Sequence, residues 1–441
     1  MLLRYRLALL SAVIVSPLHA EPVKDNIASI EPKVEAALPD LVALYKHLHT
    51  NPELSLQEEQ TAARLAAEMK ALGLEVTAKV GGHGIVAVLK NGPGPVVLVR
   101  TDMDGLPIVE KTGVPYASKA RARDRAGNDV GVMHACGHDI HMTCWVGTAR
   151  TLIALKEKWS GTVLFIGQPA EEIVAGAKAM LADGLYKRFP KPDYALALHS
   201  DPLKPVGVIG FTDGLALAGS DTVDILVKGR GGHGAAPHLS IDPIVLSARI
   251  ILDLQTIVSR EVNPLDPCVV TVGSIHGGTK HNIIPNEVKL QLTVRTTKDS
   301  VREQVLKAIA RIAKAAAVGA NAPEPDVTVS ATEFTPATVN DSALVKRTTT
   351  VLRELLGDAN VQLRPPVMGA EDFGRFSEGK IPIFMYFLGT ISKERYEESL
   401  KDGGKPLPGM HTDTYAPAPE PSVRAGVRTM TLAVMDLLAK K

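Results

Sequence analysis

Met133-His134-Ala135-Cys136-Gly137-His138-Asp139-Ile140-His141 packs one cysteine and three histidines into a single short stretch. Groups of similar chemistry follow it, Glu171-Glu172 and His199, each behind an apolar run. Cysteine, histidine and glutamate are the side chains that hold a borderline-soft divalent metal. Their positions carry the reading. Val96-Val97-Leu98-Val99-Arg100 leads into Asp102 and Asp104, Thr162-Val163-Leu164-Phe165-Ile166 into Glu171-Glu172, and Tyr194-Ala195-Leu196-Ala197-Leu198 into His199. In an open α/β sheet, ligands lie outside the carboxyl ends of the strands. Three buried-strand patterns that deliver such residues to one edge imply a metal site at the rim of a mostly parallel sheet. A lone histidine or cysteine is more often a core residue. In Cys136, His138, Glu172 and His199 chemistry and strand-end placement agree, and the set reads as the metal ligands of a hydrolase.

The whole chain sets the bounds. Its 441 residues exceed one ordinary core, so two domains are expected. A composition 45% hydrophobic and 22% charged is that of a folded globular protein. The net charge of +1 gives no electrostatic case for nucleic acid or an anionic membrane, and 4% aromatics argue against base stacking. Arg4 and Arg6, the apolar residues 7–15 and Pro17-Leu18-His19-Ala20 form the pattern of an export leader, residues 1–20. Leu18 departs from the small-residue rule for the cleavage site. The apolar run is too short to span a bilayer, so a periplasmic or secreted protein without a membrane span is expected. Three cysteines do not make a disulfide scaffold, and Cys144 and Cys268 read as small core residues.

Ser55-Leu56-Gln57-Glu58 fits a capping box opening a helix through 61–72 that stops at Gly73. Strands are expected at 84–89, 96–101, 162–166 and 194–199, alternating with helices at 138–156 and 175–181. That alternation predicts an α/β fold, a mostly parallel sheet with helices on both faces. Beyond residue 214 the order becomes strand 222–227, helix 243–260, strands 269–275 and 287–296, helix 301–317 and strand 327–331. This is the split βαβ order of a ferredoxin-like α+β unit, and it reads as a domain inserted at 218–332 between catalytic parts 21–217 and 333–441. Helix 344–356, strand 383–388 and a final helix 423–439 resume the first pattern.

The combined motifs resemble the zinc-dependent aminoacylase/carboxypeptidase superfamily, in its amidohydrolase branch of bacterial hippurate hydrolases and plant auxin–amino acid conjugate hydrolases. The matching pieces are residues 100–107, 134–141, 167–172, His199-Ser200, 231–238, 282–285, 368–373 and His411-Thr412-Asp413. The resemblance implies a dinuclear zinc exopeptidase-like fold whose insert is a lid and dimerisation domain. It implies metal ligands Cys136, His138, Glu172, His199 and His411, a general base Glu171, and Asp104 supporting the metal site. It also assigns His233 to the oxyanion, often across a dimer. Asn282 and Arg295 are candidates for gripping a substrate carboxylate, Arg295 by a bidentate pair, and Gly369 for letting substrate approach. Five ligands exceed what one tetrahedral zinc needs, so two divalent ions per subunit are expected, zinc first, with manganese, cobalt or nickel as alternatives. Cys136 would bridge them. The expected reaction is hydrolysis of the amide of an N-acyl (acetyl, aroyl or fatty-acyl) amino acid by metal-activated water, in a homodimer or tetramer. An exported dipeptidase or carboxypeptidase is the alternative. Asp102 and Arg100 read as a buried pair or a turn. His141 shares the helix face of His138 and is expected to pack or bond a carboxylate.

Overall fold

The apolar strands assemble into one eight-stranded mixed sheet in a computed structural model that describes residues 17–378 and 380–440. The first sixteen residues of the expected leader lie outside the described residues, and the rest begin the helix Pro17–Thr50. At the sheet's centre the strands Gly161–Gln168, Val96–Asp102, Tyr194–Pro205 and Ile383–Ile391 are neighbours, all parallel. Ile85–Asn91 and Glu75–Ala78 extend one side antiparallel. On the other side come Ile209–Phe211, antiparallel to its neighbour, and Val361–Leu363.

Both faces of this sheet are covered, which is why its strands are apolar runs without polar alternation. Val97 and Val99 point into one core with Leu196, Phe165 and Tyr386. Leu98, between them, points into the other with Leu164, Ala195 and Met385. The first core is closed by the helices Pro17–Thr50, His138–Ala154 and Pro419–Leu437. Of these, His138–Ala154 is buried nearly all round, its polar His138, Asp139 and His141 included. Its Trp145 donates an indole N–H to the Val99 carbonyl at 3.1 Å and meets Phe165 edge-on, which locks the middle of the helix to the sheet. Among the described residues no helix is long and apolar enough to cross a membrane.

The sequence reading erred at the start of the helix Glu59–Ala71. Ser55 does not cap it, and Glu58 makes no side-chain cap bond there. The Glu53 carboxylate accepts from the Gln60 and Thr61 N–H groups instead. Ser55 and Glu58 are turned toward the metal-site residues, where buried polar groups compete for them. The strand holding His199 also runs beyond it, to Pro205.

The insert has its own four-stranded antiparallel sheet, ordered Cys268–His276, Glu287–Thr296, Gly219–Lys228, Asp326–Val329. The helices Pro243–Thr256 and Asp299–Gly319 cover one face over Val223, Ile225, Leu290 and Val294. The two-residue strand period puts Ser220, Thr222, Thr293 and Arg295 on the opposite face. Ser220 pairs with Arg295 and Thr222 with Thr293 across the strands. That polar face is one wall of the cavity described next.

Candidate metal centre and its cavity

The Cys136-Gly137-His138 turn depends on its glycine. Gly137 has φ +81°, and a Cβ there would come within 2.6 Å of Ser200 Oγ. A left-handed glycine lets the helix begin at His138 while Cys136 stays beside the sheet edge. The turn carrying Glu171-Glu172 is flanked by Ala170 and Val174, both non-glycine residues with positive φ. Strain of that kind persists only where surroundings hold it. Glu58 accepts from the Ala170 N–H at 2.7 Å. Asp104 Oδ2 accepts from the Glu172 N–H at 3.0 Å and from the Ser55 hydroxyl at 2.6 Å. His411 is likewise left-handed, and its N–H donates to the Ala135 carbonyl, which fastens its loop to the cysteine turn.

These devices bring the five expected ligands together. Donor atoms of Cys136, His138 and His199 lie within 4.8 Å of one another, as do those of Cys136, Glu172 and His411. Cys136 belongs to both groups. His411 Nε2 is 3.3 Å from its sulfur and 3.5 Å from Glu172 Oε2. Tautomers follow from partners. His199 Nδ1 faces the Ser200 carbonyl at 2.9 Å and must donate, which leaves the Nε2 lone pair toward Cys136 at 3.6 Å. His138 Nδ1 faces Asp104 Oδ1 at 3.4 Å, so its Nε2 points to the carboxylates of Glu171 and Glu172.

The donor set fits divalent cations. His138 Nε2 and Glu172 Oε1 are buried, 3.7 Å apart, with no hydrogen-bond partner, an arrangement that buried polar groups rarely adopt without a ligand. Burial alone would lower His138, yet Asp102, Asp104 and Glu172 outweigh it and raise it to about 10. Burial pushes Glu172 up to about 8. So many buried acceptors create a negative potential suited to cations.

Glu171 is buried beside the centre and also lies next to Glu371 and Asp372, which belong to a second network. Arg100, fully enclosed, bonds Gln168, Asp102 and Glu371, and Gln168 passes the network to Asp372. Arg100 and Asp102 thus form the buried pair allowed for above. His141 receives the Ser200 N–H at Nε2 and donates through Nδ1 to Asp102 at 2.7 Å. His134 is buried with neither ring nitrogen bonded.

A cavity of about 830 Å³ opens beside the centre, within the range of small-molecule sites. Cys136, Glu171, Glu172, His199 and His411 form its floor, Arg295 and Gly369 belong to its walls, and Ile173, Leu203, Leu217 and Met410 make it largely apolar. A Cβ on Gly369 would meet Leu217 at 3.8 Å and Val367 at 3.9 Å, ordinary van der Waals contact, so space alone does not demand a glycine there. His233 and Asn282 are not among the lining residues. His233 is exposed on the far part of the insert, its Nδ1 accepting from Ala235. Pattern reading missed Arg364 and Arg125 in the wall. Each comes just after a three-residue strand, too short to leave a period in the sequence, and neither lies in a motif.

Residues 98–400 match the model of peptidase family M20/M25/M40. The chain is 37% identical to a hippurate hydrolase of Campylobacter jejuni, over 76% of this chain and 84% of that one. It is 35% identical to an N-acetylcysteine deacetylase of Bacillus subtilis, over 81% and 90%. A dinuclear metal-binding peptidase of the M20 family from Bacillus subtilis superposes with a TM-score of 0.73 at 29% identity, covering 92% of this chain and 99% of that structure.

Proposed function

From the premise that the chain belongs to peptidase family M20/M25/M40, a family of hydrolases, we propose that it is a metal-dependent amidohydrolase of N-acyl amino acids. The products are a carboxylic acid and a free amino acid. One observation carries the substrate class. The cavity beside the centre is apolar with a guanidinium, Arg295, in its wall, and its carboxylates outside the centre each face a cation: Asp201 faces Arg364 and Glu333 faces Arg125. An apolar space with an arginine that has no carboxylate partner among the described residues suits an acyl group and an α-carboxylate. A peptide's free ammonium would want an unpaired carboxylate away from the centre, and among the described residues none lines the cavity there. The exported dipeptidase is therefore the weaker reading.

Cys136, His138, Glu172, His199 and His411 would hold two divalent ions, Cys136 belonging to both donor groups. When bound, such ions polarise an amide carbonyl and acidify water at neutral pH. Zinc suits a thiolate and imidazole set best. Glu171 takes the proton of the attacking water on a carboxylate oxygen and later passes it to the leaving amine nitrogen. Asp104 orients the His138 ring through Nδ1. Arg295, held by the Ser220 hydroxyl, grips the substrate's α-carboxylate from the polar face of the insert. His233 and Asn282 lie outside their own chain's cavity and would serve that of a second copy, His233 stabilising the oxyanion. The leader-like residues 1–20 support an enzyme exported from the cytoplasm.

The test is a hydrolysis screen over N-acetyl, N-benzoyl and long-chain N-acyl amino acids plus dipeptides, with and without chelation. Hydrolysis of the acyl compounds should vanish on chelation and return with zinc, manganese or cobalt. Full activity in protein shown metal-free by elemental analysis, or turnover of dipeptides alone, overturns the reading.

A further inference from the structure

One guanidinium in the cavity wall has no role in the reaction just described. Arg364 follows the edge strand Val361–Leu363, and its backbone is fixed there, its N–H donating to Phe211 and its carbonyl accepting from the Thr212 hydroxyl. The guanidinium carbon lies 3.6 Å from the centroid of the Phe387 ring. Phe387 in turn packs against the His199 ring, with centroids 5.7 Å apart. The charge thus stands one aromatic ring away from a metal ligand.

Its hydrogen bonding is incomplete. The guanidinium has five N–H donors, and among the described residues none makes a side-chain hydrogen bond. The Asp201 carboxylate, 3.8 Å from Nη1, is close enough for charge attraction and too far to accept a hydrogen bond. Nη1 is shut off from solvent, while the side chain keeps 23% of its exposure and lines the cavity. Burial shifts Arg364 below the ordinary arginine range against the opposing pull of Asp201. The other cavity arginines differ: Arg295 donates to Ser220 and Arg125 pairs with Glu333. A half-buried guanidinium without hydrogen bonds is costly unless a ligand completes it. Stacking on Phe387 holds the plane of the fork, and with Nη1 shut off, Nε and Nη2 are the donors left for a ligand. The Nε and Nη2 pair of a guanidinium in a largely apolar space matches a carboxylate, which it can take bidentately.

We propose that Arg364 is a specificity-determining residue that reads a second carboxylate on the substrate, beyond the α-carboxylate taken by Arg295. The enzyme would then favour N-acyl amino acids with two acidic ends. The second carboxylate comes either from a dicarboxylic acyl group or from an acidic amino acid side chain. This rests on the N-acyl amino acid reading and adds to it the class of substrate.

The experiment compares kcat/KM within two pairs, each a carboxylate and its amide isostere: N-succinyl-alanine against N-succinamoyl-alanine, and N-acetyl-glutamate against N-acetyl-glutamine. The first pair reports the acyl source and the second the side-chain source. The metal-loaded parent should prefer the acid in one pair by about ten- to hundredfold, the worth of a charge-assisted hydrogen bond. In Arg364→Met that ratio should fall toward one, and in Arg364→Lys it should be intermediate. Calorimetric binding of succinate against succinamate to the same proteins reads the preference without turnover, and metal content with thermal unfolding verifies folding. No acid preference in either pair overturns the proposal, as does a preference that survives in Arg364→Met, or an equal loss on acid and amide. Hydrolysis of N-acetyl-alanine by the parent is a separate readout. Its absence overturns the amidohydrolase reading, whereas its presence with flat ratios overturns only the role of Arg364.

Discussion

Glu171 and Glu172 are adjacent in sequence, but their surroundings separate them. Glu172 presents its two oxygens to His138 and His411, while Glu171 also meets Glu371 and Asp372 in the network around Arg100. Glu171→Gln should therefore keep metal and substrate binding and lose turnover by roughly two to four orders of magnitude, the usual worth of a general base. Glu172→Gln should lose metal. Elemental analysis and single-turnover rates on both variants decide, and a Glu171→Gln rate within a few fold of the parent removes it as the base. Cys136, His138, Glu172 and His199 were legible as candidates because strand ends and a helix start place them, and both leave a periodic trace in sequence. His411 was not. It lies in an irregular loop with positive φ, pinned by a backbone bond to Ala135 far away in the chain, and only its resemblance to a family motif nominated it. Ser55 shows the opposite failure. Its spacing to Glu58 satisfies a local capping rule, but the Asp104 carboxylate is the stronger partner.

At the scale of elements, the helix Pro17–Thr50 is tied to the start of His138–Ala154 by one imidazole. His49 donates through Nδ1 to Asp139 at 2.7 Å and through Nε2 to Glu110 at 3.0 Å, all three side chains almost fully enclosed. Burial alone would lower its pKa. The two carboxylates outweigh burial and raise it to about 9. In the unfolded chain a histidine titrates near 6.5, so above that pH the folded state binds the extra proton. The contribution is complete below about pH 6.5 and is lost as pH rises through about 9, at most about 3 kcal/mol by linkage. Asp139 and Glu110 are held low by His49 against burial, so their share is lost only on acidification. Urea unfolding at pH 6 and pH 9.5 should show a drop in the parent that His49→Gln lacks, and equal drops in both dismiss the link. Apolar patterning marked the helix His138–Ala154 and every central strand, since each is long and buries a regular set of residues, but it set no bounds for Pro17–Thr50. The short strands at and next to the sheet's edges, Glu75–Ala78, Ile209–Phe211 and Val361–Leu363, were missed. Three or four residues carry too little period, and pairing with a neighbour decides them.

The whole molecule raises the question of where His233 acts. Within one chain it is exposed and outside the cavity that holds Glu171, although both are expected to act on one substrate. The insert also leaves Val245 and Leu252 exposed along one helix and Ile275 on its outermost strand, an apolar strip suited to a second copy. A C₂ dimer through the insert would carry each His233 to the other chain's centre. Sequence pattern cannot contain that relation, because it reports which residues share a face of one chain and not which chain they serve. The consequence is testable by complementation. His233→Ala and Glu171→Gln homodimers should each be nearly inactive at full metal content. Mixed under conditions that exchange subunits, about half the dimers become heterodimers, and each then has one site with an intact Glu171 and an intact partner His233. Activity should recover to about a quarter of the parent. No recovery despite exchange shown by mass spectrometry means that His233 acts within its own chain, and a fully active monomer in light scattering eliminates the shared site.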